Sequence, residues 1–257
     1  MPRYALGVEY DGTDYFGWQT QHQEPTLQAT LERALSFVAG APVEVICAGR
    51  TDTGVHALGQ VVHFDTPALR SERAWVLGCN SNLPSTLAVR WAREVSDQFH
   101  ARYSARRRAY RYRLVVRPTR PALDARYAVW VREALDVAAM RAAAQRLVGE
   151  HDYTSFRTVA CQSRSPVRHL YRADAEVQGE IIDWHFEANA FLHHMIRNLV
   201  GSLLVVGRGE RPPEWIAEVL AARDRTKAGP TAPPHGLVLM SARYPAEHGL
   251  PAEHCLP

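Results

Sequence analysis

The sequence predicts an α+β fold of two similar halves with mainly antiparallel sheets, and three observations lead there. Residues 1–100 alternate in pattern as strand, helix, strand, strand, helix, strand. Residues 101–244 follow the same order without repeating the sequence. Residues 167–177 and 181–188 read as a hairpin around Gln178-Gly179, which pairs its strands antiparallel. The order β-α-β-β-α-β is the split unit of ferredoxin-like folds. Two such halves joined side by side leave a cleft between them, the usual place for a site.

In the first half Tyr4, Leu6, Val8 and Tyr10 alternate as one face of a strand, and Asp11-Gly12 turns the chain. Leu27, Leu31, Ala34, Leu35 and Val38 then recur at helical spacing up to Gly40, a natural stop. Residues 43–47 and 60–64 read as strands, with Asp52 in the connection between them. A short helix opening at Ser71 and a strand over 87–95 complete the half.

The second half, 101–244, opens with an alternating strand over 108–116. Asp136 is a good N-cap for a helix carrying Val137, Met140, Ala144 and Leu147 to a stop at Gly149. Residues 167–177 and 181–188 form a hairpin around Gln178-Gly179. An apolar helix is expected over 191–206, another after Pro212-Pro213 with Trp215, Ile216, Val219 and Leu220, and a closing strand over 237–244. The remaining residues 245–257, P-A-E-H-G-L followed by P-A-E-H-C-L, are too short to fold and are expected to be a loose tail.

With 257 residues, 46% hydrophobic and 22% charged, the chain matches an ordinary globular protein rather than a disordered one. No stretch has the apolar length of a membrane helix, and the first ten residues read as a strand rather than a signal peptide, so a cytoplasmic protein is expected. Cys47, Cys79, Cys161 and Cys255 lie far apart, which suggests reduced thiols and neither a disulfide framework nor a metal site. The phosphate-binding G-x-x-x-x-G-K-[ST] and G-x-G-x-x-G motifs do not occur, nor do H-E-x-x-H and G-x-S-x-G, so no nucleotide cofactor or catalytic metal is expected. His193-His194 is read as one satisfied core histidine and one surface histidine rather than a metal pair.

A net charge of +3 says little, but its distribution says more. Only Lys227 is lysine among the 30 basic residues, and residues 100–120 hold eight Arg with no Asp or Glu. Guanidinium suits phosphate because its planar fork donates two parallel hydrogen bonds, and the interleaved Tyr residues offer stacking surfaces for bases. The cluster is read as a nucleic-acid surface; the competing reading is a strand edge protected by charge.

A-G-R-T-D-T-G-V-H-A, residues 48–57, crowds small and cationic groups around one carboxylate, Asp52. D-T-G also spells the aspartic protease signature. That chemistry needs two carboxylates sharing a proton, whereas this chain has one D-T-G with Arg50 beside it, so the protease reading is set aside. A lone ionised Asp suits a nucleophile or electrostatic stabiliser; an Asx turn is the structural alternative, and spacing alone does not separate them.

The stretch 49–57 is similar to the G-R-T-D-x-G-V-H-A motif of the TruA family of tRNA pseudouridine synthases. The resemblance continues through E-Y-D-G-T-D-Y-F-G-W-Q (9–19), F-H-A-R-Y-S-A (99–105), Y-R-Y (110–112), H-D-Y-T-S-F-R (151–157), N-A-F-L-H-H-M-I-R-N-L-V-G-S-L (189–203) and G-L-V-L (236–239). It implies the pseudouridine synthase fold, no cofactor, a homodimer, and isomerisation of uridine to pseudouridine at positions 38, 39 and 40 in the anticodon stem-loop of tRNA, with Asp52 as the catalytic carboxylate. It also implies that Tyr110 stacks on an extruded uracil and that Leu237 is the apolar residue opposite; Arg50 and Arg197 are candidates to keep Asp52 ionised, with phosphate binding the alternative for Arg50. Arg102, Arg106, Arg107 and Arg108 are expected to meet RNA phosphates across the cleft. A tRNA-binding or chaperone protein that has lost catalysis is the alternative.

Overall fold

In the computed structural model, which describes residues 1–22 and 24–256, the alternation at the N-terminus becomes β1 (Arg3–Tyr10). It is followed by α1 (Leu27–Ala39), β2 (Ile46–Cys47), β3 (His56–Asp65), α2 (Glu72–Asn80) and β4 (Leu87–Val95). Thr26 caps α1 by accepting from the Ala29 N–H, and Gly40 ends it at φ 72°, where a Cβ would be strained. Ser71 caps α2 in the same way. β1 pairs antiparallel with β3 on one side and β4 on the other. β2 adds antiparallel to β3, giving the order β4-β1-β3-β2 of a ferredoxin-like unit. β2 is shorter than the strand expected over 43–47, because only Ile46 and Cys47 reach ladder partners on β3.

The chain forms two compact units, Met1–Arg107 with Val238–Pro257, and Arg108–Leu237. The first unit therefore recruits most of the last strand, β10 (Leu237–Arg243), which lies parallel to β3 through Val238↔His56 and Leu239↔Ala57. One face of this sheet packs Tyr4, Phe64 and Trp75 together, with Phe64 and Trp75 edge to face at 5.1 Å between ring centres. The other face is also dry. Ala5, Val61 and Ala242 are covered by Phe99, Ala101 and Ala105 of the 99–105 block and by Tyr244 and Leu250.

That second apolar face corrects the expectation of a loose tail over 245–257. The two P-A-E-H stretches form 3₁₀ turns at Ala246–His248 and Ala252–His254, each set by the proline before it. Leu250 and His254 are buried, His254 Nδ1 lies 2.9 Å from the Ala242 carbonyl, and Tyr244 N–H donates to the His254 carbonyl. The repeat is short, but it closes a face that would otherwise be wet.

The second unit contains β5 (Arg107–Val116), β6 (Val129–Val131), α3 (Val137–Gln145), β7 (Gly149–Asp152), β8 (Val167–Gln178), β9 (Ile181–Ala188), α4 (Met195–Gly207) and α5 (Trp215–Ala222). Its strands run β5-β9-β8-β7, all antiparallel, with β6 parallel on the other side of β5. Asp136 caps α3 as expected, but the helix ends at Gln145 and Gly149, at φ 114°, opens β7 instead. The helix expected over 191–206 begins four residues later, since His194 sits in the left-handed region at φ 62° and breaks any turn running through it.

Candidate active site

In the first unit Asp52 lies in the loop between β2 and β3, half-buried, and the loop is held from several directions. Ala48 N–H donates to the Val61 carbonyl, Trp18 N–H donates to the Thr51 carbonyl at 2.9 Å, and Val55 N–H closes the turn on the Asp52 carbonyl at 3.1 Å. Beneath the loop Gln60, fully buried on β3, treats Gly49 as a ladder partner: Nε2 donates to its carbonyl at 2.6 Å and Oε1 accepts its N–H at 3.4 Å. Nε2 also reaches the Tyr10 hydroxyl at 3.3 Å, which shares a 2.9 Å hydrogen bond with Thr51 Oγ1. A buried amide is tolerated only when satisfied, and this one is satisfied by the residues leading into Asp52.

The 9–19 block serves the same loop. A Cβ on Gly17, which sits at φ 81°, would come within 2.8 Å of the Thr51 carbonyl oxygen and 3.2 Å of the Asp52 carbonyl carbon. The backbone of 11–19 thus lies directly against the Asp52 turn, closer than any side chain permits. Trp18 and Tyr15 are buried while Phe16 stays exposed, so this stretch is part foundation and part surface. His56 Nδ1 takes the Gly12 N–H at 3.0 Å, with Asp11 Oδ1 3.1 Å away. Pattern reading missed Gln60, Gly12 and Gly17. A signal was available at Gln60, a lone amide within the apolar strand A-L-G-Q-V-V-H-F.

The cations differ in their surroundings. Arg50 is exposed and makes no hydrogen bond or ion pair among the described residues. Arg102 lies 5.6 Å from the Tyr103 ring centre, and Arg106 is exposed. Arg107 is half-buried.

In the second unit β5 carries Arg108, Tyr110, Tyr112 and Leu114 on one buried face. Tyr110 is 8% exposed and meets Phe191 edge to face at 5.1 Å. Arg108 is equally buried, and its Nη1 donates to the Asn189 carbonyl at 2.8 Å, a bracing role that the sequence did not announce. On the opposite face Arg113 holds Asp183 through two bonds of 2.8 and 2.7 Å, with Arg111 3.9 Å from the same carboxylate.

Arg197, on α4, donates from Nε to the Ala232 carbonyl at 2.8 Å and receives the Ala232 N–H on its own carbonyl. The Tyr112 hydroxyl donates to the Pro233 carbonyl at 2.7 Å, and Leu237 follows, nearly buried. A Cβ on Gly236 would lie 2.8 Å from the Arg113 carbonyl, so this segment runs flush against β5. The structure thus places Asp52 and Arg50 in the first unit, and Tyr110, Arg197 and Leu237 in the second. His193 and His194 touch ring to ring, the first exposed and the second half-buried.

Residues 7–104 and 143–245 match a family profile described as tRNA pseudouridine synthase. This chain belongs to the tRNA pseudouridine synthase family. The family match spans Asp52, Arg197 and Leu237, while Tyr110 falls in the interval between the matched blocks. Among relatives, the tRNA pseudouridine synthase A of Stenotrophomonas maltophilia (strain K279a) is 57% identical over 252 residues, covering 98% of each chain. That of Xanthomonas euvesicatoria pv. vesicatoria (strain 85-10) is 56% identical over 253 residues with the same coverage. That of Paraburkholderia xenovorans (strain LB400) is 56% identical, covering 98% of this chain and 93% of its own. A solved Cbf5-Nop10-Gar1 complex aligns over 92% of this chain and 48% of its own at 12% identity with a TM-score of 0.38, too loose a likeness to argue from.

Proposed function

We propose that this tRNA pseudouridine synthase family member isomerises uridine to pseudouridine in tRNA, at positions 38, 39 and 40 of the anticodon stem-loop, in the cytoplasm and as a homodimer. The observation that carries the reading is the Asp52 turn: a buried amide, a tyrosine and a glycine loop fix the backbone around a single carboxylate. Preorganisation of this kind is what a catalytic group needs, since a misplacement of about 1 Å costs on the order of a hundredfold in rate.

The reaction breaks the bond between uracil N1 and ribose C1′, turns the base and joins C5 to C1′; C5 gives its proton to solvent or a base, and the freed N1 takes one up. It is an isomerisation, so atoms and electrons balance without a redox partner. Asp52 serves as the carboxylate, by attack on C1′, by addition to uracil C6, or by removing a ribose proton on the way to a glycal. Extruding a base costs a few kcal/mol and an aromatic stack returns about 1–3 kcal/mol, so Tyr110 stacking on the uracil, with Leu237 opposite, offsets much of that cost.

Arg50 and Arg197 act with these residues in binding the substrate. Arg102, Arg106 and Arg107 contact phosphates, and Arg108 braces Asn189 beside them. The test is Asp52→Asn incubated with unmodified tRNA. Loss of pseudouridine with tRNA binding retained is expected. Undiminished product rejects Asp52, and a wild type that binds tRNA yet forms no product is a binding protein instead.

A further inference from the structure

Three guanidinium groups converge in the second unit at a place the proposed chemistry does not use. Arg168 stands near the start of β8, and Arg157 follows the 3₁₀ turn Thr154–Phe156 that leaves β7. Tyr153 N–H donates to the Pro166 carbonyl at 3.1 Å, which ties together the two ends of the loop that Arg157 opens. Arg108 on β5 and Leu170 on β8 both oppose Ala188 of β9. Arg168, two residues before Leu170, therefore projects from the same face as Arg108. Asn189 knits the corner: its carbonyl takes Arg108 Nη1, its Oδ1 takes the His169 N–H, and its own N–H returns to the His169 carbonyl.

Two of these cations have donors without acceptors. Arg168 Nη1 and Nη2 bond to Ser165, Val167 and Ser163, but its Nε is buried with no hydrogen-bond partner among the described residues. The half-buried Arg157 side chain makes no hydrogen bond or ion pair among the described residues. The neighbouring acid is Asp152, and its carboxylate is engaged by Arg223 at 3.3 Å and by the Thr154 N–H at 2.9 Å. Burial lowers the Arg168 pKa, the charges of Arg108 and Arg157 lower it further, and the Cys161 thiol opposes them. Like charges gathered at a partly dry site are unfavourable until an anion arrives.

We propose that Arg157, Arg168 and Arg108 form a subsite for one phosphodiester of the tRNA backbone, with Arg157 supplying the hydrogen bonds and Arg168 and Arg108 the supporting charge. A phosphate oxygen pair matches the planar fork of the Arg157 guanidinium, whose charge also acts on Asp152. The proposal rests on the tRNA reading above and adds a contact to it.

Arg157→Gln is the cleaner variant, because no fold contact of that side chain is lost, and Arg168→Gln is the second. For Arg157→Gln the KM for tRNA is expected to rise about tenfold. The kcat at saturating tRNA should hold, and the slope of log affinity against log salt should fall by about one. Arg157→Lys should restore the slope and only part of the affinity. Both Gln variants matching an active wild type in affinity and slope would overturn the subsite alone. A wild type that forms no pseudouridine removes the functional reading and this proposal with it. Inorganic phosphate, added at constant ionic strength, that stabilises the wild type but not Arg157→Gln, with tRNA affinity unchanged, assigns the site to free phosphate and overturns the RNA contact.

Discussion

Residues 49–57 and 189–203 stand out in the sequence to a similar degree, yet the structure uses them in different ways. Around Asp52 the neighbours are arranged to hold backbone: Gln60 and Tyr10 grip Gly49 and Thr51, and Gly17 lets the chain pass flush beneath. In the second stretch the polar side chains hold the fold. Asn198 is fully buried on α4, donates to the Phe156 carbonyl, and accepts from Arg225 and Thr231. Ser202 accepts the Gly229 N–H, and Gly201 meets the Pro230 carbonyl so closely that no Cβ fits. A polar motif therefore marks either a place where chemistry is positioned or a place where a loop is fastened to a helix. The direction in which its hydrogen bonds run tells which.

Substitutions separate the two kinds. The largest effect is expected for Asp52→Asn, which should lower product formation at least about 10³-fold while the thermal midpoint stays close to wild type. Asn198→Ala should do the reverse. Its removal leaves Arg225, Thr231 and the Phe156 carbonyl short of partners, and stability should fall by about 2–4 kcal/mol in denaturant unfolding with kcat retained below the transition. Full catalytic loss at unchanged stability would erase the distinction.

Acid should also tell on the first unit, through a histidine of β3. His63, buried on β3 with its Nδ1 accepting the Ala101 N–H, has its pKa pushed down to about 4 by burial first, then by His100 and Arg3, against the opposing pull of Asp65. The folded state thus resists a proton that the unfolded state takes up near pH 6.5, the ordinary histidine value. Stability is full above that pH and declines as pH drops toward about 4, by about 3 kcal/mol from this group. Unfolding curves for wild type and His63→Gln should converge in acid, and parallel curves would exclude His63 as the cause. The smallest effect sharpens the contrast most. Gln60→Leu should lower kcat about tenfold with KM for tRNA unchanged, a split that a merely destabilised fold would not produce at a permissive temperature.

Much of the fold was legible because its signals are local. Period-two runs gave β1, β4 and β5, and side-chain caps at Thr26, Ser71 and Asp136 mark helix starts by a mechanism visible in the sequence. What escaped was decided by distant contacts. The pairing of Val238 and Leu239 with β3 has no local signature, nor does the burial of Leu250 and His254 against the sheet. His194 breaks a helix by taking a backbone conformation that its residue type does not announce. Asp52 is singled out by its motif and Tyr110 by resemblance, whereas the support beneath Asp52 shows only in the structure. Arg108 reads from the sequence as a phosphate contact, and its bond to the Asn189 carbonyl has no local signature.

The strand that returns from the end of the chain has a consequence for how the protein comes into being. During synthesis Asp52 emerges early, but β3 waits beside it for residues 238 onward. Until they are made, the loop already has Tyr10, Trp18 and Gln60 to grip it, while the parallel edge of β3 at His56 and Ala57 still lacks its neighbour.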